Sequence, residues 1–141
     1  MKKMILAFSV LTLVFASCKK DKTDEPVTPT KENLTGTYKM TAATMTSGGT
    51  SADIFNNDIF FEACDRDDIY KLNADNSYAR QDAGVVCSTS NDYTGGTWSL
   101  ENSTTLNLDG EISTIKSWNG KTLVAEIVLS GVTFSTTYVK Q

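Results

Sequence analysis

Cysteine is the residue type of this chain most able to do chemistry, because the sequence contains no histidine. Without an imidazole, neither a Ser-His-Asp nor a Cys-His arrangement is available. Cys18 follows an apolar N-terminal segment, which leaves Cys64 and Cys87 as a pair. In an exported protein, such a pair is expected to form a disulfide, and a zinc site would have to use the same two thiols. The sequence therefore favours a crosslinked, non-enzymatic protein without a cofactor.

Two groups of carboxylates could form a functional site, either for calcium or for acid–base catalysis. Asp65, Asp67 and Asp68 could bind calcium, but they lack the spaced oxygen ligands and the glycine of a known calcium loop. We favour the interpretation that these three aspartates are solvent-exposed residues at the start of a strand. Glu101 and Glu111 flank a predicted hairpin and could form an acid–base pair, although charged residues at turns explain them more simply. We therefore predict no metal site and no catalytic residue.

The N-terminus has the layout of a secretory signal over residues 1–17, with two lysines, an apolar run and small residues before Cys18. The apolar run is too short for a comfortable membrane span. Residues 15–18, Phe-Ala-Ser-Cys, resemble the lipobox of bacterial lipoproteins. That resemblance implies a diacylglyceryl thioether on Cys18, cleavage before it, and acylation of its amino group with a fatty acid such as palmitate. Two or more acyl chains give stable membrane anchoring. Ordinary signal cleavage beside an incidental cysteine is the alternative.

Residues 19–31 contain almost no apolar side chain and hold both prolines of the chain. Such a segment cannot bury enough surface to offset its ordering entropy, so it is predicted to be a flexible tether. The expected organisation is a signal over 1–17, a lipidated tether over 18–32 and a β-domain over 33–141. Removal of the signal takes away two lysines and shifts the formal charge from -4 to -6. This acidity argues against nucleic-acid binding, which needs a basic face.

Short β-strands are the elements that must position these groups. From residue 95 onward, runs of strand-forming residues alternate with turn residues, which predicts strands at 96–100, 105–108, 114–118, 121–129 and 132–140. Asn119-Gly120 is the pair best suited to a type I′ turn, in which both central residues have positive φ. Ile112 and Ile115 break the alternation and indicate a bend or bulge. Counted from Gly36, the strands number eight, which predicts an all-β, antiparallel up-and-down barrel.

The region between the first strand and this meander is less regular. Residues 44–51 are predicted to form a Gly/Ser/Thr loop. Residues 51–63 could form a short helix or an irregular lid, since their apolar residues lie at roughly helical spacing. We favour a plug that closes one end of the barrel over a mobile gate.

A hairpin is predicted next, with its turn at residues 74–76. The midpoint between Cys64 and Cys87 falls in this turn, so an unbulged hairpin would place the two cysteines opposite each other. A disulfide there would lock the strand register. A bulge at Ala83-Gly84 would shift the pairing by one residue.

The order and spacing of these motifs resemble the lipocalin-like lipoproteins of gram-negative bacteria. The shared marks are the lipidated N-terminus, Leu-x-Gly-x-aromatic at 34–38, a cysteine with acidic residues at 64–68, the second cysteine Cys87, Gly-Thr-Trp-Ser-Leu at 96–100, and a tyrosine-containing last strand. The resemblance implies an eight-stranded up-and-down barrel whose members mostly lack an assigned function. Lipocalins carry Gly-x-Trp in the first strand. Here Tyr38 takes that place, and the tryptophan lies in the second Gly-Thr-aromatic motif, at residues 96–98.

Two functions are compatible with this architecture. In the first, a lipid-like or aromatic small molecule binds in an apolar pocket inside the barrel. The residues expected to line that pocket are Tyr38, Met40, Trp98, Phe134 and Tyr138. In the second, these side chains fill the barrel, and the protein contacts an unidentified envelope partner through loops at 44–51 or 86–94. In both cases we expect a cell-envelope protein of the outer membrane, held there by the lipid on Cys18.

Overall fold

The computed structural model describes residues 26–141. The predicted signal, Cys18 and most of the predicted tether lie outside the described residues. The described chain forms one helical turn, α1 (Lys31–Leu34), followed by nine strands. These are β1 (Gly36–Ser47), β2 (Thr50–Asp53), β3 (Ile69–Leu72), β4 (Ser77–Gln81), β5 (Tyr93–Asn102), β6 (Thr105–Leu108), β7 (Glu111–Trp118), β8 (Thr122–Leu129) and β9 (Val132–Lys140).

Eight of these strands close into an antiparallel barrel. They follow one another in the order β1-β3-β4-β5-β6-β7-β8-β9, and β9 pairs back with β1. Along its other edge, β1 pairs with β3 over residues 36–39 and with β2 over residues 44–47. Closure removes the free edges that an open meander would expose. The predicted eight-stranded up-and-down barrel is confirmed, and β2 is an additional strand that extends it.

Three two-residue loops have the paired positive φ angles of a type I′ turn. They are Gly48-Gly49, Asp109-Gly110 and Ser130-Gly131. The prediction for Asn119-Gly120 is wrong, since only Gly120 has a positive φ, at 88°. The side-chain oxygen of Asn119 accepts hydrogen bonds from the backbone N–H groups of Lys121 (3.0 Å) and Thr122 (2.7 Å). With this Asx-type contact, the loop between β7 and β8 has three residues, 119–121, instead of the predicted two.

Residues 44–51 form a hairpin, which corrects the loop predicted there. β1 runs on to Ser47 and returns through Gly48-Gly49 into β2. Threonine and serine dominate this stretch, and the Thr46 and Ser51 hydroxyls lie 2.7 Å apart across the pair. β-Branched residues favour a pleated strand, and two glycines supply the positive φ angles of the turn. Composition typical of a loop is therefore also typical of this hairpin.

Residues 51–63 contain no helix. β2 ends at Asp53, and a series of turns follows. Side chains compete for the backbone donors that a helix would use. Asp53 accepts from the N–H of Phe55 (2.8 Å), and Asn57 accepts from that of Ile59 (3.0 Å). The segment acts as a plug only in part, since Ile54 is buried in the barrel whereas Ile59 is 88% exposed.

The barrel interior holds two apolar clusters. The lower cluster lies at the end closed by α1, and the upper cluster lies towards the far end of β1. The lower cluster is formed by Leu34, Tyr38, Leu72, Trp98, Leu106, Ile115, Trp118 and Leu123. The upper cluster is formed by Met40, Ala43 and Ile54, with Phe55, Phe61 and Phe134 packed against them. Tyr70 and Tyr138 contact both clusters, so the core is continuous along the barrel.

The segment before β1 seals the lower end. Thr30 and Asn33 form a capping box for α1, which satisfies backbone donors at its start. The indole N–H of Trp118 donates to the side-chain oxygen of Asn33 (3.0 Å), and the N–H of Val27 donates to the carbonyl of Trp118 (2.8 Å). From Val27 onward, the part of the predicted tether that the structure describes therefore lies on the barrel.

Candidate functional site

A disulfide joins Cys64 and Cys87, the pair indicated by the sequence, with their Cα atoms 5.2 Å apart. The unbulged hairpin that would place the two cysteines opposite each other is not found. Strand pairing ends at Ile69 and Gln81, and its register differs by one residue from the one that the cysteine spacing implies. The bond therefore joins the two loops beyond the hairpin, residues 54–68 and 82–92. We call these the rim loops.

Aspartates hold the rim loops in place by accepting hydrogen bonds. Asp82 accepts from the backbone N–H groups of Cys87 (3.3 Å) and Asn91 (3.1 Å). Asp67 accepts from the N–H of Val85 (2.8 Å), and Asp65 accepts from the Asn91 side chain (2.6 Å). Charge-assisted hydrogen bonds of this kind are stronger than neutral ones. Asp65 and Asp67 are therefore crosslinks between loops, which corrects their interpretation as a solvated strand entry.

Asp68 is fully buried beside Arg80. The guanidinium Nε lies 3.8 Å from the carboxylate and also donates to the carbonyl of Asn91 (3.1 Å). Neither carboxylate oxygen of Asp68 has a hydrogen-bond partner among the described residues. Burial raises the pKa of this carboxyl, and the Arg80 guanidinium acts in the opposite direction. Arg80 is thus held beside the rim loops, and the nearby Asp68 carboxylate balances part of its charge.

Replacing Gly84 with alanine is expected to destabilise the protein by about 2 kcal/mol. Gly84 has a φ of 66°, where an L side chain is strained by about 1 kcal/mol. A Cβ there would also collide with the Asp67 carboxylate, which would have to give up its hydrogen bond to Val85. Urea unfolding measures the loss.

The matched control is Gly48→Ala, because Gly48 has a φ of 57° and no atom near the position of a Cβ. This substitution should cost only the strain, about 1 kcal/mol. Equal losses for the two variants would show that Asp67 does not brace the rim at Gly84.

Beside the rim loops, the barrel opens into a pocket of about 490 Å³, which we call the mouth. It lies between the ends of β4 and β5 and the β6–β7 turn. Its polar wall contains Arg80, Asp92, Asp109 and Glu111, and its aromatic wall contains Tyr78, Tyr93 and Tyr138. Pockets that hold small molecules have volumes of this order.

Beneath the mouth lies an inner cavity of about 50 Å³. Tyr78, Leu108 and Tyr138 line both spaces, so the inner cavity is the apolar floor of the mouth. A cavity of roughly 150 Å³ holds a benzene molecule. The inner cavity is therefore too small for an aromatic ring or a lipid chain, and most of any ligand would have to occupy the mouth.

The five residues predicted to line one pocket do not surround one cavity. Tyr38 and Tyr138 line the inner cavity. Trp98 packs in the lower cluster, while Met40 and Phe134 belong to the upper cluster. Each prediction of an inward face holds, but in the close-packed interior three of the five side chains line neither the mouth nor the inner cavity.

Three tyrosines that the sequence analysis did not place in the pocket, Tyr70, Tyr78 and Tyr93, line the mouth or the inner cavity. The chain has five tyrosines, and each lines the mouth or the inner cavity: Tyr38, Tyr70, Tyr78, Tyr93 and Tyr138. Burial raises the pKa of Tyr78 to about 12 and also raises those of Tyr70 and Tyr138. Their hydroxyls are therefore neutral at physiological pH and can donate hydrogen bonds. The signal available in the sequence was the residue type itself, since tyrosine combines an apolar ring with a polar tip.

The two glutamates considered as an acid–base pair occupy different surroundings. Glu111 lines the mouth, whereas Glu101 is exposed on β5 and accepts a long hydrogen bond of 3.4 Å from the Asn107 side chain. Glu62 lies near both cysteines, but their sulfurs are used in the disulfide, so this group cannot serve as a thiolate metal site.

Comparison with known families adds one finding. Residues 34–134, which are more than half of the chain, match the family model of the lipocalin-like domain. No curated protein and no solved structure matches the chain. Within residues 26–141, none of the helical structure is long and apolar enough to cross a membrane.

Proposed function

Because the chain belongs to the lipocalin-like domain family, we propose that it is a non-enzymatic protein that binds a small, partly apolar molecule in the mouth of its barrel. The observation that carries this proposal is the shared lining of the mouth and the inner cavity. A ligand in the mouth would rest its apolar part on Tyr78, Leu108 and Tyr138. Its polar part would face the charged wall.

The second part of the proposal is a lipid anchor on Cys18. The lower end of the barrel is sealed by the segment that starts at Val27, nine residues after Cys18. An extended chain of that length spans at most about 30 Å. A protein anchored in this way, on either face of the outer membrane, would keep its lower end near the lipid and its mouth towards the aqueous phase. Radiolabelled palmitate incorporated into the wild type and absent from a Cys18→Ala variant tests the lipid anchor.

Native mass spectrometry of the full-length protein, purified in detergent from its own cell envelope, tests the binding function. The wild type should carry a small molecule that the Leu108→Trp variant lacks, because a tryptophan at position 108 would occupy the floor of the mouth. The matched control is Ile112→Trp, which places the same residue at a 48% exposed position. A wild-type protein without bound mass, or equal occupancy in Leu108→Trp, contradicts the proposal.

A surface feature supports an interaction role as a second candidate function. Three exposed aliphatic side chains, Ile59, Val85 and Val86, lie on the two loops that the disulfide joins. Where exposed apolar groups are contiguous they mark contact surfaces, and the crosslink between the two loops would bring these three together. Crosslinking in intact envelopes should then give a discrete adduct that an Ile59→Asp, Val86→Asp double variant loses. An adduct that persists in a correctly folded double variant excludes this surface.

A further inference from the structure

We infer that the ligand of the mouth is an amphipathic organic cation, such as a small arylalkyl amine or a quaternary ammonium compound. This inference rests on the proposed binding function and specifies the chemical class of the ligand. It follows from the charge, the aromatic surface and the spacing of the groups around the mouth.

The charge of the mouth is negative. Asp92, Asp109 and Glu111 line it, and Arg80 is the opposing cation. The Asp68 carboxylate already lies 3.8 Å from Arg80, so part of the arginine charge is balanced before a ligand arrives. The unbalanced charge around the opening is therefore that of carboxylates, which attract a cation and repel an anion.

Two of these carboxylates are held in place by backbone donors. Asp92 accepts from the backbone N–H of Asp82 (2.8 Å), and Asp109 accepts from that of Thr97. None of the three carboxylates takes part in the ion pairs found within residues 26–141. Since Asp92 and Asp109 are each already engaged by a backbone donor, Glu111 is the carboxylate best able to meet an ammonium group in the mouth.

The aromatic wall suits an organic cation. The rings of Tyr78 and Tyr93 lie 6.1 Å apart and are tilted by 57°, and the ring of Tyr138 also borders the mouth. Faces of aromatic rings attract ammonium groups, and recognition of quaternary ammonium ligands uses such walls. The same rings can pack against an aryl group. A ligand that carries both an ammonium group and an aryl group would therefore use the wall in both ways.

The spacing of the carboxylates argues against a metal ion. In the part of the chain that the structure describes, Glu62, Cys64 and Cys87 form the one group of three potential metal ligands whose ligand atoms lie within 4.8 Å of one another. The carboxylates of the mouth do not converge in this way, although a calcium ion would need several oxygens at 2.3–2.6 Å. Negative charge spread around a wide opening is suited instead to a bulky cation with a diffuse charge.

Isothermal titration calorimetry with three compounds of one shape tests the inference on the full-length protein in detergent. The compounds are 3-phenylpropan-1-amine, 3-phenylpropan-1-ol and 3-phenylpropanoate. The amine should bind at least tenfold more tightly than the carboxylate, with the alcohol between them. Its affinity should fall as the salt concentration rises from 50 to 500 mM, because the attraction is screened. Glu111→Gln should weaken the amine three- to tenfold and leave the alcohol unchanged.

Glu101→Gln is the matched control, since it removes a carboxylate outside the mouth and should change neither affinity. Binding of the carboxylate as tightly as the amine would overturn the cation inference and leave the binding function standing. Failure of all three compounds to bind would count against both. Equal weakening of amine and alcohol in Glu111→Gln would show that the glutamate acts through the shape of the mouth, which also contradicts the inference.

Discussion

Replacing Trp98 with alanine is expected to lower the free energy of unfolding by about 3–5 kcal/mol, the largest effect of any single substitution considered for this protein. Trp98 is 2% exposed and packs in the lower cluster. Its indole N–H donates to the carbonyl of Asn73 (2.8 Å) at the β3–β4 turn. The alanine would leave a large cavity and remove one of the two donors to that carbonyl, which also accepts from the backbone N–H of Asn76 (3.0 Å). Urea unfolding followed by circular dichroism measures the loss.

Two controls separate packing from the hydrogen bond. Trp98→Phe keeps most of the apolar volume and should cost about 1–2 kcal/mol, mainly for the lost hydrogen bond. Val128→Ala, at a 65% exposed position, should change stability by less than about 0.5 kcal/mol. A loss below 1 kcal/mol for Trp98→Ala would contradict the burial of this residue.

The same tryptophan distinguishes the two locations considered for the ligand site. Trp98 lines neither the mouth nor the inner cavity, whereas the sequence had placed it in the pocket. Trp98→Phe should therefore retain the bound small molecule. Loss of the ligand from a folded Trp98→Phe protein would return the site to the lower cluster.

Removing the disulfide is expected to cost about 3 kcal/mol. The bond closes a loop with a sequence separation of 23, and loop-closure entropy in the unfolded chain gives a value of this size. The Cys64→Ala, Cys87→Ala double variant and the reduced wild type should show similar urea midpoints, both below that of the oxidised wild type. Midpoints that differ by less than the error would mean that the bond adds little to the contacts already holding the rim loops.

The loss should be visible locally as well as globally. Amide exchange should quicken at Val85, Cys87 and Asn91, whose N–H groups donate to rim aspartates. The amides of β8, which open only with the whole fold, should quicken by no more than the global loss of about 3 kcal/mol allows. Rim amides that exchange as slowly as in the oxidised wild type, while those of β8 quicken, would show that the bond acts on the whole fold and not on the rim in particular.

Strand positions were largely encoded locally. β6 and β9 occupy the residues predicted for them, 105–108 and 132–140, because each is a run of strand formers between turn residues. The broken alternation around Ile115 correctly indicated a bulge, which lies between Ile115 and Ser117. Turn types were less predictable, because the side chain of Asn119 competes with the backbone for the same donors.

The sequence by itself determined the strand order, the closed barrel, the pairing of Cys64 with Cys87 and the inward faces of the strands, since these follow from short-range alternation and from the count of cysteines. Only the tertiary structure decided where free volume remains and which charges surround it. Tyr78, Arg80 and Glu111 come from β4 and β7, which are not neighbours in the sheet. Their meeting at one mouth depends on how the curved sheet closes and on which inward side chains fill the lower end. These are properties of packing in three dimensions, which no local pattern records.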